Sequence, residues 1–156
     1  MSYKLLKVGY EYIPLNELEQ YRAVLPISIV AKIGAAIING ESVIAVSSVQ
    51  LAKWRAKMEQ YRQQQALLAQ CVELNNKGVD CENYGDLTGA IQAYEQNIAL
   101  GYPAHHAFKR LLVLYRKAKD YKNELRIAQC ACRVFPKDES YKARREKIRE
   151  LVRKHK

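Results

Sequence analysis

The sequence predicts a mainly α protein: antiparallel helix pairs stacked as a solenoid, closed by a C-terminal capping helix and preceded by a small N-terminal α(+β) module. Three observations carry this. One unit is written twice, Asn83 to Ile91 (NYGDLTGAI) returning as Lys117 to Leu125 (KAKDYKNEL), with Asp86 and Asp120 34 residues apart. A period of that length marks a helix–turn–helix repeat. From Ser48 to Lys77 there is no glycine or proline, and the run is rich in Gln, Ala, Leu, Lys and Arg, all strong helix formers. Apolar residues make up 49% of the 156, ample for a core.

Taken in order, Tyr3 to Ile13 alternates loosely, with Leu6, Val8, Tyr10 and Tyr12 on one side, which predicts a short strand ended by Pro14. Asn16 followed by Glu19 has capping-box spacing and predicts a helix through about Val24. Pro26 ends it and opens the next, Ile27 to Ile38. Here Ile27, Val30, Ala31, Gly34, Ile37 and Ile38 form one stripe, while Ile29 and Ile33 make the other side apolar too. Such a helix is expected to be buried all round. Asn39 and Gly40 stop it, and Val43, Ile44 and Val46 predict a second strand that pairs with the first. Residues 1–47 therefore form the N-terminal module.

Residues 48–136 read as a long helix running into two repeats. Val49, Ala52, Ala56, Tyr61 and Leu67 are expected on its packed side, with Trp54 beside them. Gly85 and Asp86 turn the chain into Leu87 to Leu100, Gly101 to Pro103 break it, and Ala104 to Ala118 follows. Asp120 makes the second turn, into Tyr121 to Val134. After Pro136, Asp138 and Ser140 cap a last helix from about Glu139 to Arg153. Residues 137–156 thus form the basic capping helix, with Tyr141, Ile148, Leu151 and Val152 as its apolar positions.

The repeat resembles the tetratricopeptide repeat (TPR) family over residues 71–136. Leu74, Gly78, Ala90, Tyr94 and Leu100 match the large and small positions of a first copy, and Phe108, Leu111, Tyr115, Ala128, Ala131 and Pro136 those of a second. Asn97 and Glu124 stand where the family usually has alanine, Leu112 replaces a small glycine, Cys81 replaces an aromatic, and Pro103 comes one residue late. About three stacked units are normally needed for a stable array, so the N-terminal module and the last helix are both expected to pack on the repeats.

The resemblance implies a binding scaffold, an adaptor holding a peptide or partner helix in a concave groove. On the second repeat the groove stripe is His106, Lys109, Val113, Arg116 and Lys117, one face at helical spacing. The matching stripe of the first is Val72, Asn75, Val79, Glu82 and Asn83. Asn75, Glu82, His106, Lys109, Val113, Arg116 and Lys117 are the candidate partner-binding residues. Asn75, Lys109 and Arg110 resemble part of the clamp with which some TPR domains hold a peptide carboxylate, but Val79 stands where that clamp has asparagine.

The net charge of +10 points to an acidic partner, a protein or peptide, or to nucleic acid. Half of the excess lies in residues 137–156, with 9 basic and 4 acidic side chains. Arg144, Arg145, Arg149 and Arg153 are candidate phosphate-binding residues, the basis of an alternative nucleic-acid reading. Nothing points to catalysis. There is no phosphate-binding glycine loop or nucleophile elbow, and His105 and His106 diverge by about 100°. No cofactor or metal is expected: Cys130 and Cys132 fall on different helix sides, and Cys71 and Cys81 are too far apart to bridge. The cysteines read as packing residues in a reducing compartment. The most apolar run, Val24 to Ile38, is too short to span a bilayer, and Met1 begins no secretory signal; a soluble, cytoplasmic protein is expected. The sequence leaves the oligomeric state open.

Overall fold

A computed structural model describes residues 6–154. In chain order their elements are β1 (Tyr10–Pro14), α1 (Leu15–Glu19), α2 (Ile27–Ile38), β2 (Val43–Ser47), α3 (Ser48–Asn83), α4 (Leu87–Ala99), α5 (His105–Lys117), α6 (Tyr121–Val134) and α7 (Glu139–Lys154). The protein is mainly helical, with one two-stranded sheet among the described residues. Two compact units divide it, Met1–Gln65 and Ala66–Lys156, and the boundary falls inside α3.

In the first unit β1 and β2 pair antiparallel, Tyr10 opposite Ser47 through Pro14 opposite Val43. Strand alternation puts Glu11, Ile13, Ile44 and Val46 on one face, and Ile13 and Val46 are buried there. The expected strand was longer, and its side with Tyr10 and Tyr12 is the less buried one. Its residues 3–5 lie outside the described residues. Gly9, at φ +82°, turns the backbone just before Tyr10, and Val8 is fully exposed.

Helix α1 starts directly after Pro14 and ends at Glu19. Asn16 therefore sits inside it and accepts only from the Glu17 amide, so the expected capping box does not form. The chain continues to Val24 through turns such as Val24 N–H to Tyr21 carbonyl, 2.9 Å. Helix α2 has the expected bounds but is not buried all round. Ile29, Ile33 and Ala36 enter the core, while the stripe through Ile27, Val30, Ile37 and Ile38 stays exposed. The start of α3 packs through Leu51, Trp54 and partly Met58, at helical spacing. Val49, Ala52, Ala56 and Tyr61, expected on that side, are exposed, and residues 59–66 are exposed on every side of the helix.

In the second unit the same turn is built twice. Asp86 accepts from Gly89 N–H and Asp120 from Asn123 N–H, capping α4 and α6. Asp86 N–H reaches back to the Cys81 carbonyl at 2.8 Å, and Asp120 N–H to that of Tyr115 at 2.9 Å. The residue before each aspartate takes the left-handed conformation, Gly85 at φ +77° and Lys119 at φ +58°. The sequence repeat is thus a repeat of backbone geometry.

Short connections fold each helix back against its predecessor, with α4 on α5, α5 on α6 and α6 on α7. On α3, Gly78 is required by close approach: a Cβ there would lie 2.5 Å from the Tyr94 ring. The core holds Ala90 and Tyr94 of α4, Phe108, Leu111, Leu112 and Tyr115 of α5, and Ile127, Ala128 and Ala131 of α6. Helix α7 adds Tyr141 and Ile148, with Leu151 and Val152 half-buried. Asp138 accepts from the Ser140 amide, 2.9 Å, near its start.

Candidate partner-binding face

Three buried or half-buried carboxylates organise the second unit, each tying three consecutive helices together. Glu82 of α3 accepts from the Tyr94 hydroxyl of α4, 2.9 Å, and from Arg110 of α5, whose Nε lies 2.9 Å from Oε1 and whose Nη2 bonds the other oxygen. Glu95 of α4 accepts from the Tyr115 hydroxyl of α5, 2.6 Å, and from Arg126 of α6. Glu124 of α6, fully buried, accepts from Arg116 of α5 at 2.6 Å and Arg144 of α7 at 2.9 Å. Arg144 also donates to the Leu112 carbonyl, 2.7 Å. A buried carboxylate is tolerated only when paired and hydrogen-bonded, and these clusters meet that condition with no buried side-chain polar atom left unpartnered among the described residues.

The electrostatics follow. The Arg110 guanidinium, then the Tyr94 hydroxyl, hold Glu82 below the usual carboxylate range against the opposing effect of burial. Burial, with Glu82 beside it, pushes the Tyr94 hydroxyl up to about 12. Burial and Glu95 do the same for Tyr115.

These clusters sort the candidate residues of α5. Arg116, expected to be free on the face, is committed to Glu124. Lys109 and Lys117 are exposed and make no hydrogen bond or ion pair within 4 Å among the described residues. Val113 lies half-buried between them, and His106 is exposed with its ring edge-on to Tyr94 at 5.7 Å. On α3, Val72 and Val79 are exposed two turns apart. Asn75 accepts from the buried Asn97, 3.1 Å, which also donates to the Cys71 carbonyl; what Asn75 offers a ligand is its own amide N–H. Glu82 joins the two stretches, and Lys117 of α5 adds to the lowering of its pKa.

On α5 the exposed Lys109 and Lys117 flank Val113, Lys109 near Asp138 and Lys117 near Glu82, whose charge Arg110 offsets; on α3 Val72 and Val79 are exposed. The arginines build the fold and the lysines remain available. Sequence reasoning missed this division, although a glutamate at a small-residue position of the repeat signals a buried charge in need of partners.

The candidate phosphate-binding residues are divided as well. Arg144 is bound to Glu124, and Arg145 and Arg149 pair with Glu146. Arg153 is exposed. His105 stacks on Phe135 at 3.8 Å between ring centroids and shares a 3.0 Å hydrogen bond with Tyr141, so it ties α5 to α7. No protein-family profile matches the sequence, and no curated protein is significantly similar to it. Among the described residues no group of histidines, cysteines and carboxylates has the geometry of a metal site, the four cysteines are free, and no helix is long and apolar enough to cross a membrane.

Proposed function

We propose that this chain is a non-catalytic interaction scaffold, an adaptor that binds an acidic peptide or partner helix on the face shared by α3 and α5. The observation that supports it is the state of Lys109 and Lys117: exposed cations on one helix face, flanking Val113, while every arginine of α5 is spent on an internal carboxylate. Val72 and Val79 provide aliphatic contact, and Glu82, held by Arg110, does not repel an incoming carboxylate. The TPR-like repeat points the same way by resemblance. The nucleic-acid reading loses support at Arg144, held by the buried Glu124, while Arg145 and Arg149 share the exposed Glu146.

The test reverses Lys109 and Lys117 to glutamate. Arg116 is left alone, since it holds the buried Glu124. Exposed charge changes cost a fold no more than about 0.5 kcal/mol, whereas like charges facing across an interface cost several kcal/mol. Partners recovered from nuclease-treated source lysate on the wild-type chain should be lost on the double variant, with an unchanged melting temperature. Recovery of nucleic acid alone, or protein partners retained by the variant, would reject the reading.

A further inference from the structure

Helix α2 has two apolar faces, and the chain covers one. Ile29, Ile33 and Ala36 are buried. On the other side Ile27 is 88% exposed, Ile38 86%, Ile37 59% and Val30 38%, with Ala31, Gly34 and Ala35 between them. At about 100° per residue these seven share an arc of roughly 160°. The helix's two polar residues, Ser28 and Lys32, lie beyond one edge of it. Single exposed isoleucines are ordinary on a protein surface, but an uninterrupted apolar arc marks an interaction site.

Gly34 carries the argument further. Glycine is unfavourable inside a helix relative to alanine, and a close neighbour can justify it, as Tyr94 does for Gly78. Among the described residues nothing lies within 4 Å of the place a Cβ on Gly34 would occupy. The small residue is therefore not required by this chain's own packing, and it lies at the centre of the exposed arc.

We propose that this face pairs with the same face of a second copy of the chain, the two α2 helices running antiparallel about a two-fold axis at the helix midpoint. An isologous interface must be complementary to itself, and the arc has that property. Ile27 meets Ile38 of the second copy, Val30 meets Ile37, and Ala31 meets Ala35, with Gly34 near the axis. The small central residues let the backbones approach, while the isoleucines close over the ends. Lys32 lies off the arc, and the charges bordering its Val30 and Ile37 edge, Glu19 and Arg22, are paired with each other. The absence of charge also makes the arc a poor match for an acidic partner and a good one for an apolar copy. Were these side chains wholly covered, the pair would bury at most about 1,000 Å², the low end for a specific interface. A contact of this size is expected to be weak.

Sedimentation velocity on the full chain tests this. Between about 1 and 100 µM, the range of a weak, micromolar association, the wild type should pass from monomer to dimer. Ile38→Glu should raise the Kd about 100-fold by placing carboxylates in the apolar contact. Gly34→Leu, at a site where a Cβ meets no described atom within 4 Å, blocks the close approach and should also give a monomer. Emission from Trp54, buried in the same unit, reports whether each variant retains its fold. A wild type that stays monomeric throughout this range overturns the proposal. So does a dimer that persists in natively folded Ile38→Glu and Gly34→Leu chains. A monomer that sediments with phosphatidylcholine vesicles through Ile38 would assign the face to lipid instead.

Discussion

Replacing Arg144 with alanine tests whether the buried carboxylate of Glu124 locks α7 onto the helices before it. The arginine donates to Glu124 at 2.9 Å and to the Leu112 carbonyl at 2.7 Å, and its side chain is 34% exposed. Hydrogen bonds to charged groups contribute about 1.5–3 kcal/mol each, and partial exposure places these toward the lower end. Glu124 would keep Arg116, so the carboxylate would be weakened rather than abandoned. The expected loss is about 2–3 kcal/mol, against 3–5 for a buried charge left wholly unpaired. In urea, with a slope of about 1–2 kcal/mol/M for a unit of this size, the midpoint should fall by about 1–3 M. Lys142→Ala is the control: its bridge to Glu139 is solvent-exposed and should matter by less than about 0.5 kcal/mol. A double-mutant cycle with Glu124→Ala should show a coupling of at least about 1 kcal/mol. If Arg144→Ala costs no more than Lys142→Ala, or the cycle is additive, the cluster is not what holds α7.

Two further outcomes are expected. Gly78→Ala forces a methyl group against the Tyr94 ring, 2.5 Å away, and should destabilise by about 1–3 kcal/mol; a neutral urea midpoint would show that α3 and α4 are not this close. Stability should also fall at both ends of the pH scale. Glu82, through Arg110 and then Tyr94, and Asp120, through Asn123, are held below their ordinary values; their contribution is present above the unfolded carboxylate range and lost as pH falls through the depressed values. Tyr94 and Tyr115 are raised from 10.0 to about 12, so theirs is complete below pH 10 and lost as pH rises toward 12. Urea midpoints measured across pH, with tyrosinate absorbance for the alkaline limb, check the signs. A midpoint that does not fall from pH 10 to 12 contradicts the alkaline part.

Helix ends in the second unit were legible because single residues set them. Asp86 and Asp120 cap α4 and α6, and Pro103 and Pro136 follow helix ends. The covered face of α2 was not legible, because both of its faces are apolar and periodicity cannot choose between two equal stripes. At β1, β-favouring residues reach back past Gly9, but the backbone turn at that glycine decides where pairing begins. On the candidate face, spacing placed Lys109, Val113 and Lys117 on one side of α5. It could not tell which cations were free. Arg116 differs from Lys117 only through Glu124 in the next helix, and Arg110 is bound by a glutamate 28 residues away. Pair choices of that kind depend on tertiary distance, not on periodicity.

Residues 59–66 of α3, exposed on every side, have only local forces to keep them helical. A short helix in water is marginal, and here its aids are good helix formers such as Gln63, Gln64 and Gln65 and one side-chain bond, Gln63 to Glu59 at 3.0 Å. The stretch therefore borrows its order from the packed turns before and after it. In hydrogen-exchange terms its amides open at little cost, while those around Leu51 or Gly78 wait for a core to open. A protease that cuts within these two turns would leave Leu51 and Trp54 on one fragment and Cys71 and Gly78 on the other, each still covalently joined to the residues of its own core.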